Sequence, residues 1–175
     1  EQLNPYTYRN FFFFFGVAIG DINNDGLADI YFAGTQTDNK LFLNEGNLRF
    51  QDITETAGVA CKEVWSTGVT FVDINADGLL DIYVCKSGSP DTPRRNNELF
   101  INNGDLTFSE KSREYGLDVI GLSVQAAFFD YDKDGDLDCY LLTNSFKSVG
   151  NYDLVKDQRS IPDPQNGGNK FFINE

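Results

Sequence analysis

Short apolar runs recur along the chain, and polar turns rich in Asp, Asn and Gly separate them. Within each repeat, two such runs flank a polar loop of nine residues, and a third run follows after a gap of variable length. The runs before the loops cover residues 17–19, 69–72 and 126–129, those after the loops cover 30–32, 82–84 and 139–142, and the third runs cover 40–44, 98–102 and 170–174. In the first two copies a glycine turn leads to a fourth run, which ends at Phe50 and Phe108.

The composition of these runs predicts β-strands. They are rich in Val, Ile, Phe and Tyr, which suit the pleated surface of a sheet. Several runs are apolar at successive positions, which indicates burial on both faces of the sheet. Four short strands repeated at about 50 residues are typical of a β-propeller blade. A row of hairpins or a β-sandwich is the alternative, but neither repeats one loop motif at the same strand junction three times.

We therefore predict an all-β fold of about three four-stranded antiparallel β-propeller blades, which form a single partial propeller domain over residues 1–175. The blades are expected at about 12–60, 64–118 and 122–175, the third being incomplete. Propellers close with roughly 4–8 blades, and an open stack of three leaves apolar sheet faces bare. The remaining blades are expected to come from the same longer chain or from another copy. Residues 11–15, five consecutive phenylalanines, fit a buried strand, an edge for a missing blade or an altered stretch.

The nine-residue loop, called the Asp loop below, has the motif Asp-x-Asx-x-Asp-Gly-x-x-Asp and occurs three times. Calcium takes roughly 6–8 oxygen ligands, and acidic or amide side chains at alternating positions of a curved loop can aim several oxygens inward. We predict side-chain ligands at loop positions 1, 3, 5 and 9 and a backbone carbonyl ligand at position 7. The predicted ligands are Asp21, Asn23, Asp25, Leu27 and Asp29 in the first loop, Asp73, Asn75, Asp77, Leu79 and Asp81 in the second, and Asp130, Asp132, Asp134, Asp136 and Asp138 in the third. Glycine stands at position 6 of each loop, where the backbone needs a conformation that a side chain would resist.

The motif opens like an EF-hand but differs from one at its end. An EF-hand needs flanking helices and a Glu at position 12, whereas position 12 here is Phe32, Val84 or Leu141 and both flanks are predicted strands. Ordinary turns also favour Asn, Asp and Gly, for backbone reasons alone. Three copies with every ligand position filled favour a metal-binding hairpin, and magnesium, which retains more water, suits the loop less well. We therefore predict three Ca²⁺ sites.

The charge and composition of the chain argue against several classes of function. A formal net charge of −13 opposes contact with nucleic-acid phosphates, and no apolar run approaches the roughly 18 residues of a membrane helix. We expect neither nucleic-acid binding nor membrane insertion. The chain contains no His, which removes Ser-His-Asp and Cys-His catalysis and His-ligated zinc, and no catalytic residue is predicted. Among the cysteines, Cys139 is interpreted as a small buried hydrophobe, while a Cys61–Cys85 disulfide is left open.

The connections between the second and third strands vary most, at residues 34–39, 86–97 and 144–169. Because consecutive strands run antiparallel, these connections lie at the edge opposite to the Asp loops, and long loops on a rigid scaffold are usual sites of function. Their basic residues are Lys86, Arg94, Arg95, Lys147, Lys156 and Arg159. One interpretation is that these side chains are exposed to solvent and balance the charge of acidic neighbours. The other is that they bind an anionic ligand, such as an acidic glycan or a carboxylate-bearing protein. The candidate ligand-binding residues are Arg94, Arg95, Tyr152, Lys156 and Arg159.

Three stretches of the first repeat resemble the FG-GAP/VCBS repeat family. They are Gly-Val-Ala-Ile-Gly-Asp-Ile-Asn-Asn-Asp-Gly, Asn-Lys-Leu-Phe-Leu-Asn-Glu-Gly and Asp-Ile-Thr-Glu-Thr-Ala-Gly-Val, and the likeness extends over nearly the whole chain from Gly16 onward. Such calcium-loop blades also occur in integrin α-subunit propellers, and the chain looks most like bacterial VCBS proteins of the ASPIC/UnbV-associated type. The resemblance implies a propeller, calcium in the Asp loops and export to the cell surface or outside the cell. It implies no single function, because the family serves adhesion, carbohydrate binding and some enzymes.

We expect a non-catalytic, calcium-stabilised interaction module that is extracellular and serves cell adhesion or the capture of a protein or glycan ligand. The first alternative is the propeller domain of a carbohydrate-active enzyme, a lyase or glycosidase. A glycosidase needs two carboxylates roughly 5–9.5 Å apart, and nothing singles out a pair among Asp91, Asp153, Asp157 and Asp163 of the variable loops. The second alternative is a purely structural array of blades.

Overall fold

Eleven strands and one short helix form the regular structure of residues 16–35, 37–62, 64–87, 95–144 and 168–174, which are the residues that this computed structural model describes. The strands are β1 (Val17–Gly20), β2 (Asp29–Phe32), β3 (Lys40–Asn44), β4 (Phe50–Asp52), β5 (Trp65–Val72), β6 (Asp81–Ser87), β7 (Glu98–Asn102), β8 (Phe108–Glu110), β9 (Ser123–Phe129), β10 (Asp138–Thr143) and β11 (Lys170–Phe172). Helix α1 is Thr54–Ala57 and lies between β4 and β5. Within these residues the structure contains no helix with the length and hydropathy of a membrane span.

The strands form three antiparallel sheets, and each sheet is built from consecutive strands. The first sheet has the order β1-β2-β3-β4, the second β5-β6-β7-β8 and the third β9-β10-β11. The pairing register repeats as well, since Ile30 of β2 pairs with Phe42 of β3 and Ile82 of β6 pairs with Phe100 of β7. The predicted all-β blades are thus confirmed, with four strands in each of the first two sheets. Three strands of the third sheet lie within the described residues.

Side chains packed between neighbouring sheets form two hydrophobic cores. The core between the first and second sheets is centred on Tyr31, Leu41, Ile82, Val84 and Phe100. The core between the second and third sheets is centred on Tyr83, Leu99, Cys139 and Leu141. All seven residues of β6 are buried, so the second sheet is covered on both faces, as its consecutive apolar residues predict.

The innermost strands of neighbouring sheets approach so closely that two glycines are required. The Gly16 N–H donates to the Thr67 carbonyl at 2.8 Å, and a Cβ on Gly16 would lie 2.4 Å from that oxygen. A Cβ on Gly68 would lie 2.3 Å from the Val124 carbonyl oxygen. The equivalent position in the third sheet is Gln125, whose side-chain amide donates to the Val69 carbonyl at 3.3 Å. Glycine is therefore used here for backbone contact between sheets.

In the first two repeats, a buried Tyr–Asn pair connects the sheet to the segment that follows it. In the first repeat, Asn39 Nδ2 donates to the Tyr31 hydroxyl at 2.8 Å, and this hydroxyl donates to the Val59 carbonyl at 2.7 Å. Asn39 Oδ1 accepts the Gly34 N–H at 2.7 Å, which fixes the start of the variable connection. Each polar atom of this pair is satisfied inside the core, as burial demands.

The second repeat has the same arrangement, and the third repeat has the hydrogen bond between its Asn and Tyr. Asn97 Nδ2 donates to the Tyr83 hydroxyl at 2.9 Å, and the hydroxyl donates to the Leu117 carbonyl at 3.0 Å. Asn169 Nδ2 donates to the Tyr140 hydroxyl at 2.7 Å, although Tyr140 is 40% exposed. The signal was present in the sequence, where a Tyr follows each Asp loop by two residues and an Asn precedes each third strand.

Helix α1 was not predicted, because its four residues are too few to show a helical period. The Asp52 carboxylate accepts the Thr54 N–H at 3.0 Å and the Thr54 hydroxyl, and it pairs with Lys40 at 2.9 Å. The Thr54 hydroxyl and Lys40 lower the pKa of Asp52 to about 2. The stabilisation by ionised Asp52 is therefore complete at neutral pH and is lost only as the pH falls from about 4 through about 2.

The structure corrects the predicted placement of Lys86 and answers the question left open for Cys61 and Cys85. Lys86, counted among the basic residues of the variable connections, is the sixth residue of β6 and is buried, with its ammonium 2.6 Å from Glu98. The open possibility of a Cys61–Cys85 disulfide is not realised, since all three cysteines are free. The Cys61 thiol instead donates to Glu98 at 2.8 Å, and burial followed by the Glu98 charge raises the pKa of this thiol. Cys139 is buried in the second core, as expected.

The Tyr–Asn pair allows a matched test of stability. Tyr83→Phe removes the hydroxyl and leaves Asn97 Nδ2 and the Leu117 carbonyl without this partner inside the core. We expect a loss of about 1–3 kcal/mol in the free energy of unfolding, measured by urea denaturation followed by circular dichroism. Tyr140→Phe is the control, and its smaller loss should reflect the half-exposed site. Equal losses in the two variants would show that burial does not set the cost.

Candidate metal sites

The three Asp loops occupy the same junction in each sheet, between its first and second strands. They therefore lie along one edge of the stacked sheets. The side-chain amide of Asn24 in the first loop donates to the Gly78 carbonyl of the second loop at 3.0 Å, so these two loops touch. The residues between the first and the last Asp of each loop are largely exposed, whereas the last Asp is buried.

The carboxylate at position 1 organises the bend of each loop. Asp21 accepts the N–H groups of Asn23 and Asp25 on one oxygen and that of Gly26, at 2.7 Å, on the other. Desolvation acts to raise the pKa of Asp21, but the hydrogen bonds from Gly26, Asp25 and Asn23 outweigh it and lower this pKa. Asp73 accepts from the same positions of the second loop, at Asp77 and Gly78. The loop backbone is thus wrapped around an ionised carboxylate.

Positions 3 and 5 face each other across the loop. In the first loop, Asp25 accepts the Leu27 N–H on Oδ1 at 2.8 Å, and its Oδ2 receives the Asn23 amide at 3.0 Å. The second loop has the same contact, between Asn75 and Asp77 at 2.9 Å. In these two loops an amide donor therefore faces the position 5 carboxylate.

The third loop differs because position 3 is an acid. Asp132 carries no side-chain donor when ionised, and desolvation together with the charges of Asp134 and Asp138 raises its pKa. Carboxylate oxygens of Asp130, Asp132 and Asp138 lie within 4.8 Å of one another. The like charges gathered in this loop are the kind of arrangement that a cation stabilises.

The carboxylate at position 9 fastens each loop to the end of the third strand. Asp29 accepts the Ile22 N–H at 3.0 Å on one oxygen and the Asn44 N–H at 2.8 Å on the other. Burial raises the pKa of Asp29 and Asp81, and these backbone hydrogen bonds oppose that effect. The equivalent bonds run from Ile74 and Asn102 to Asp81, and from Tyr131 and Asn174 to Asp138. Position 9 was predicted only as a ligand, and this second role was missed.

Two backbone positions in each loop have positive φ. Gly26 and Gly78 at position 6 have φ of 85° and Gly135 has 103°, as the motif predicts. Position 4 also has positive φ, between 56° and 65°, and carries the non-glycine residues Asn24, Ala76 and Lys133. Only Asn24 is a residue type that favours this conformation, so position 4 could not be recognised from residue type.

The residues present fit a calcium ion. The predicted side-chain ligands offer oxygen alone, in carboxylates and amides, which is the donor chemistry that Ca²⁺ prefers. Two oxygens that each bind one Ca²⁺ at about 2.3–2.6 Å lie at most about 5 Å apart, which agrees with the third loop. The hydrogen bonds to Asp21, Asp29 and their counterparts leave further lone pairs on these carboxylates.

The predicted ligand-binding residues are only partly covered by the described residues. Arg95 is half-buried at the end of the second variable connection and precedes Asn96, which bridges to Ile120. Arg94, Tyr152, Lys156 and Arg159 lie outside the described residues, as do the loop carboxylates considered for glycosidase chemistry and the five consecutive phenylalanines. The anionic ligand site therefore stays a prediction.

Stacked antiparallel sheets with an Asp loop at the same junction of each define a protein of repeated propeller-type blades. Residues 15–84 match the family model described as FG-GAP-like repeat. The match covers the first repeat and the start of the second, and it confirms the resemblance found in the sequence. Repeats of this family are generally extracellular interaction modules.

Three curated relatives are similar in sequence to this chain. The chain is 32% identical over 136 residues to cartilage acidic protein 1 of Xenopus tropicalis, an alignment that covers 75% of this chain and 19% of the relative. It is 29% and 28% identical over 134 residues to cartilage acidic protein 1 of Mus musculus and Homo sapiens, covering 76% of this chain and 20% of each relative. The chain thus spans about a fifth of the length of these relatives. The repeat and these relatives point to an extracellular protein.

The position 6 glycines provide a test of the loop backbone. A Cβ on Gly78 would meet no atom within 4 Å, so Gly78→Ala changes only the cost of holding φ at 85°. We expect the free energy of unfolding to fall by about 1–2 kcal/mol, measured by urea denaturation. Gly121→Ala is the control, because its Cβ also meets nothing within 4 Å and its φ is not positive. A loss of the same size in Gly121→Ala would show that the positive φ of Gly78 does not cause the loss of stability.

Proposed function

We propose that the chain is a calcium-stabilised extracellular interaction module in which one Ca²⁺ binds in each Asp loop. Side-chain oxygens at positions 1, 3, 5 and 9 and the carbonyl at position 7 would hold the ion. The observation that carries this proposal is the group formed by Asp130, Asp132 and Asp138, whose carboxylate oxygens lie within 4.8 Å of one another. A cation offsets the mutual repulsion of these charges. Three such ions would also reduce the negative net charge of the chain, which is −13.

The calcium ions are assigned a structural role. The position 9 carboxylate of each loop also accepts an N–H at the end of the third strand, for example Asp81 from Asn102 at 2.8 Å. An ion bound by this carboxylate is therefore linked to the sheet through a single side chain. Binding of each ion to the folded state alone stabilises it by about 2.7 kcal/mol when free calcium is 100 times the Kd.

Calcium removal tests this proposal directly. We expect excess chelator to lower the Tm markedly, and titration calorimetry of the calcium-free protein to give three Ca²⁺ per chain. Asp130→Asn should reduce the stoichiometry to two, because it removes a charged ligand from the third loop. Asp38→Asn is the matched control, since Asp38 is an exposed acid outside the loops. A melting curve that does not respond to chelator would contradict the proposal, and Mg²⁺ should replace Ca²⁺ only weakly.

We further propose that the ligand binds at the edge opposite to the Asp loops. The second strand of each sheet ends at that edge and the third strand begins there, because the strands of each sheet are antiparallel. Arg94, Arg95, Tyr152, Lys156 and Arg159 belong to these connections and suit an acidic glycan or a carboxylate-bearing protein. Lys86, the other basic residue of the second connection in the sequence, is buried and paired with Glu98 and is not part of this proposal.

A glycan array followed by a triple substitution tests the ligand edge. Replacing Arg94, Arg95 and Arg159 with Ala should abolish binding to an acidic glycan that the unmodified protein captures, because the charge partners of the ligand are lost. Arg49→Ala is the control, since Arg49 is an exposed basic residue in the turn beside the Asp-loop edge. Glycan binding that persists in the triple variant would show that these three arginines do not bind the glycan.

A further inference from the structure

The first two Asp loops are joined by hydrogen bonds that cross from one sheet to the next. The side-chain amide of Asn24 in the first loop donates to the Gly78 carbonyl of the second loop at 3.0 Å. Asn102, the last residue of β7, donates through Nδ2 to the Ile22 carbonyl of the first loop at 2.8 Å. Asn102 is 4% exposed, so its bridge is shielded from water, whereas the Asn24 bridge lies at the surface. Two amide side chains therefore connect loops that belong to different sheets.

The buried bridge belongs to a chain of hydrogen bonds that links the two position 9 carboxylates. The Ile22 N–H donates to Asp29 at 3.0 Å, and the Ile22 carbonyl accepts Asn102 Nδ2. The backbone N–H of Asn102 donates in turn to Asp81 at 2.8 Å, and Nδ2 also reaches the Leu80 carbonyl at 3.2 Å. Asp29 and Asp81 are predicted calcium ligands of the first and the second loop. The positions of these two ligands are therefore linked through Ile22 and Asn102.

The surface bridge joins residues that stand between predicted ligands. Asn24 is at position 4 of the first loop, between the ligands at positions 3 and 5. Gly78 is at position 6 of the second loop, between the ligands at positions 5 and 7. Fixing the ligands of one loop thus fixes one partner of the hydrogen bond. When that loop is already fixed, ordering the other loop forms the bond at a smaller loss of conformational freedom.

Neither bridge joins the second loop to the third among the described residues. Position 4 of the second loop is Ala76, which has no amide to donate. Asn174, the equivalent of Asn102, donates its N–H to Asp138 at 3.0 Å, but within the described part of the chain its side chain does not bond to the Ile74 carbonyl. The first and second loops are therefore a linked pair.

We propose that Ca²⁺ binding in the first Asp loop and Ca²⁺ binding in the second are positively cooperative. Binding in either loop fixes one side of both bridges, so the other loop loses less conformational freedom when it binds. The inference rests on the proposed calcium sites and adds a coupling between two of them. By linkage, occupation of each loop raises the affinity of the other by the same factor. Two hydrogen bonds of ordinary net strength correspond to a factor of about five or more.

Electrostatic repulsion between bound cations acts in the opposite direction. A cation in one loop offsets part of the negative charge that attracts a cation to the neighbouring loop. Exposed charges are screened over about 8 Å at physiological ionic strength, whereas the bridges act by direct contact and the Asn102 bridge is buried. The hydrogen bonds therefore set the sign of the coupling. Added KCl weakens the repulsion further and should leave the cooperativity in place.

The backbone N–H of the position 6 glycine reports on each loop separately. Gly26, Gly78 and Gly135 donate to the position 1 carboxylate of their own loops, at 2.7, 2.9 and 3.2 Å respectively. Their amide signals in proton–nitrogen correlation spectra give the occupancy of each loop at free calcium concentrations set by a chelator buffer. We expect the Gly26 and Gly78 signals to change together over one narrow range of free calcium, with Gly135 as the internal reference.

Disabling one loop measures the coupling. Asp25→Asn removes a charged ligand from the first loop, and Asp77→Asn removes one from the second. We expect Asp25→Asn to lower the calcium affinity reported by Gly78 about fivefold or more, and Asp77→Asn to lower the affinity reported by Gly26 by the same factor. Asp105→Asn is the matched control, because it removes an exposed negative charge from the turn after β7 and leaves all three loops intact. It should leave both affinities nearly unchanged.

Removing the surface bridge tests its part in the coupling. Asn24→Ala places in the first loop the residue that the second loop has at position 4, so the backbone conformation is one that Ala76 already adopts. The Gly26 and Gly78 curves should separate and become less steep. Lys133→Ala is the control, since it makes the same kind of change at position 4 of the third loop, and it should leave these two curves together.

Removing the buried bridge has a matched control in the first sheet. Asn102→Ala deletes the bond to the Ile22 carbonyl together with contacts inside its own sheet, and it should also separate the two curves. Asn44→Ala deletes the equivalent contacts within the first sheet, where Nδ2 donates to the Ala28 carbonyl at 2.9 Å, and should leave the cooperativity in place. Far-ultraviolet circular dichroism and Tm confirm that each variant is folded, and the Asn24 variant decides the matter if Asn102→Ala is not.

Two results would overturn the coupling and leave the calcium sites standing. Three ions that bind with Gly26 and Gly78 affinities indifferent to the loss of the other loop are independent. An effect in one direction only breaks the required reciprocity and indicates local damage by the substitution. Glycine signals that do not respond to calcium at all would overturn this inference and the proposed calcium sites together.

Discussion

A carboxylate buried at the last position of each Asp loop connects the loop to the rest of its sheet. Asp29, Asp81 and Asp138 each accept one N–H from their own loop and one from the end of the third strand. Without the carboxylate, two N–H groups at buried or partly buried positions would lose their acceptor, and a hydrophobic residue could not replace it. The loop geometry, the register of three strands and the proposed metal chemistry therefore depend on one side chain per repeat.

The three loops are unequal in the way they manage their charges. In the first two loops an amide at position 3 donates to the position 5 carboxylate, so part of the repulsion is relieved by the chain itself. In the third loop Asp132 provides another charge in place of that donor. The third loop consequently has the largest number of acidic side chains and lacks the amide donor at position 3. Its shape is expected to depend most strongly on a bound cation.

Repetition made much of the fold readable from the sequence. Aligning the three Asp loops placed the strands, the glycines at position 6 and the predicted ligand oxygens, because each is a local pattern that occurs three times. Features that depend on contacts between distant residues were missed or misread. Lys86 looked like a loop residue until β6 extended through it and Glu98 of β7 supplied its partner. The Tyr–Asn pair was visible as a repeated Tyr and a repeated Asn, but nothing local indicated that Asn97 reaches Tyr83.

The second sheet, covered on both faces, sets an order of local stability along the chain. In a stack where each sheet contacts only its neighbours, stability is nearly a sum of sheet and junction contributions. Among the described residues the middle sheet has two junctions and each outer sheet has one, so the middle sheet is expected to open last. The amide protons of β6 should therefore exchange with solvent last, and those of β11 and β4 earlier. The array behaves as a graded series of cooperative units, with its most protected element at the centre of the sequence.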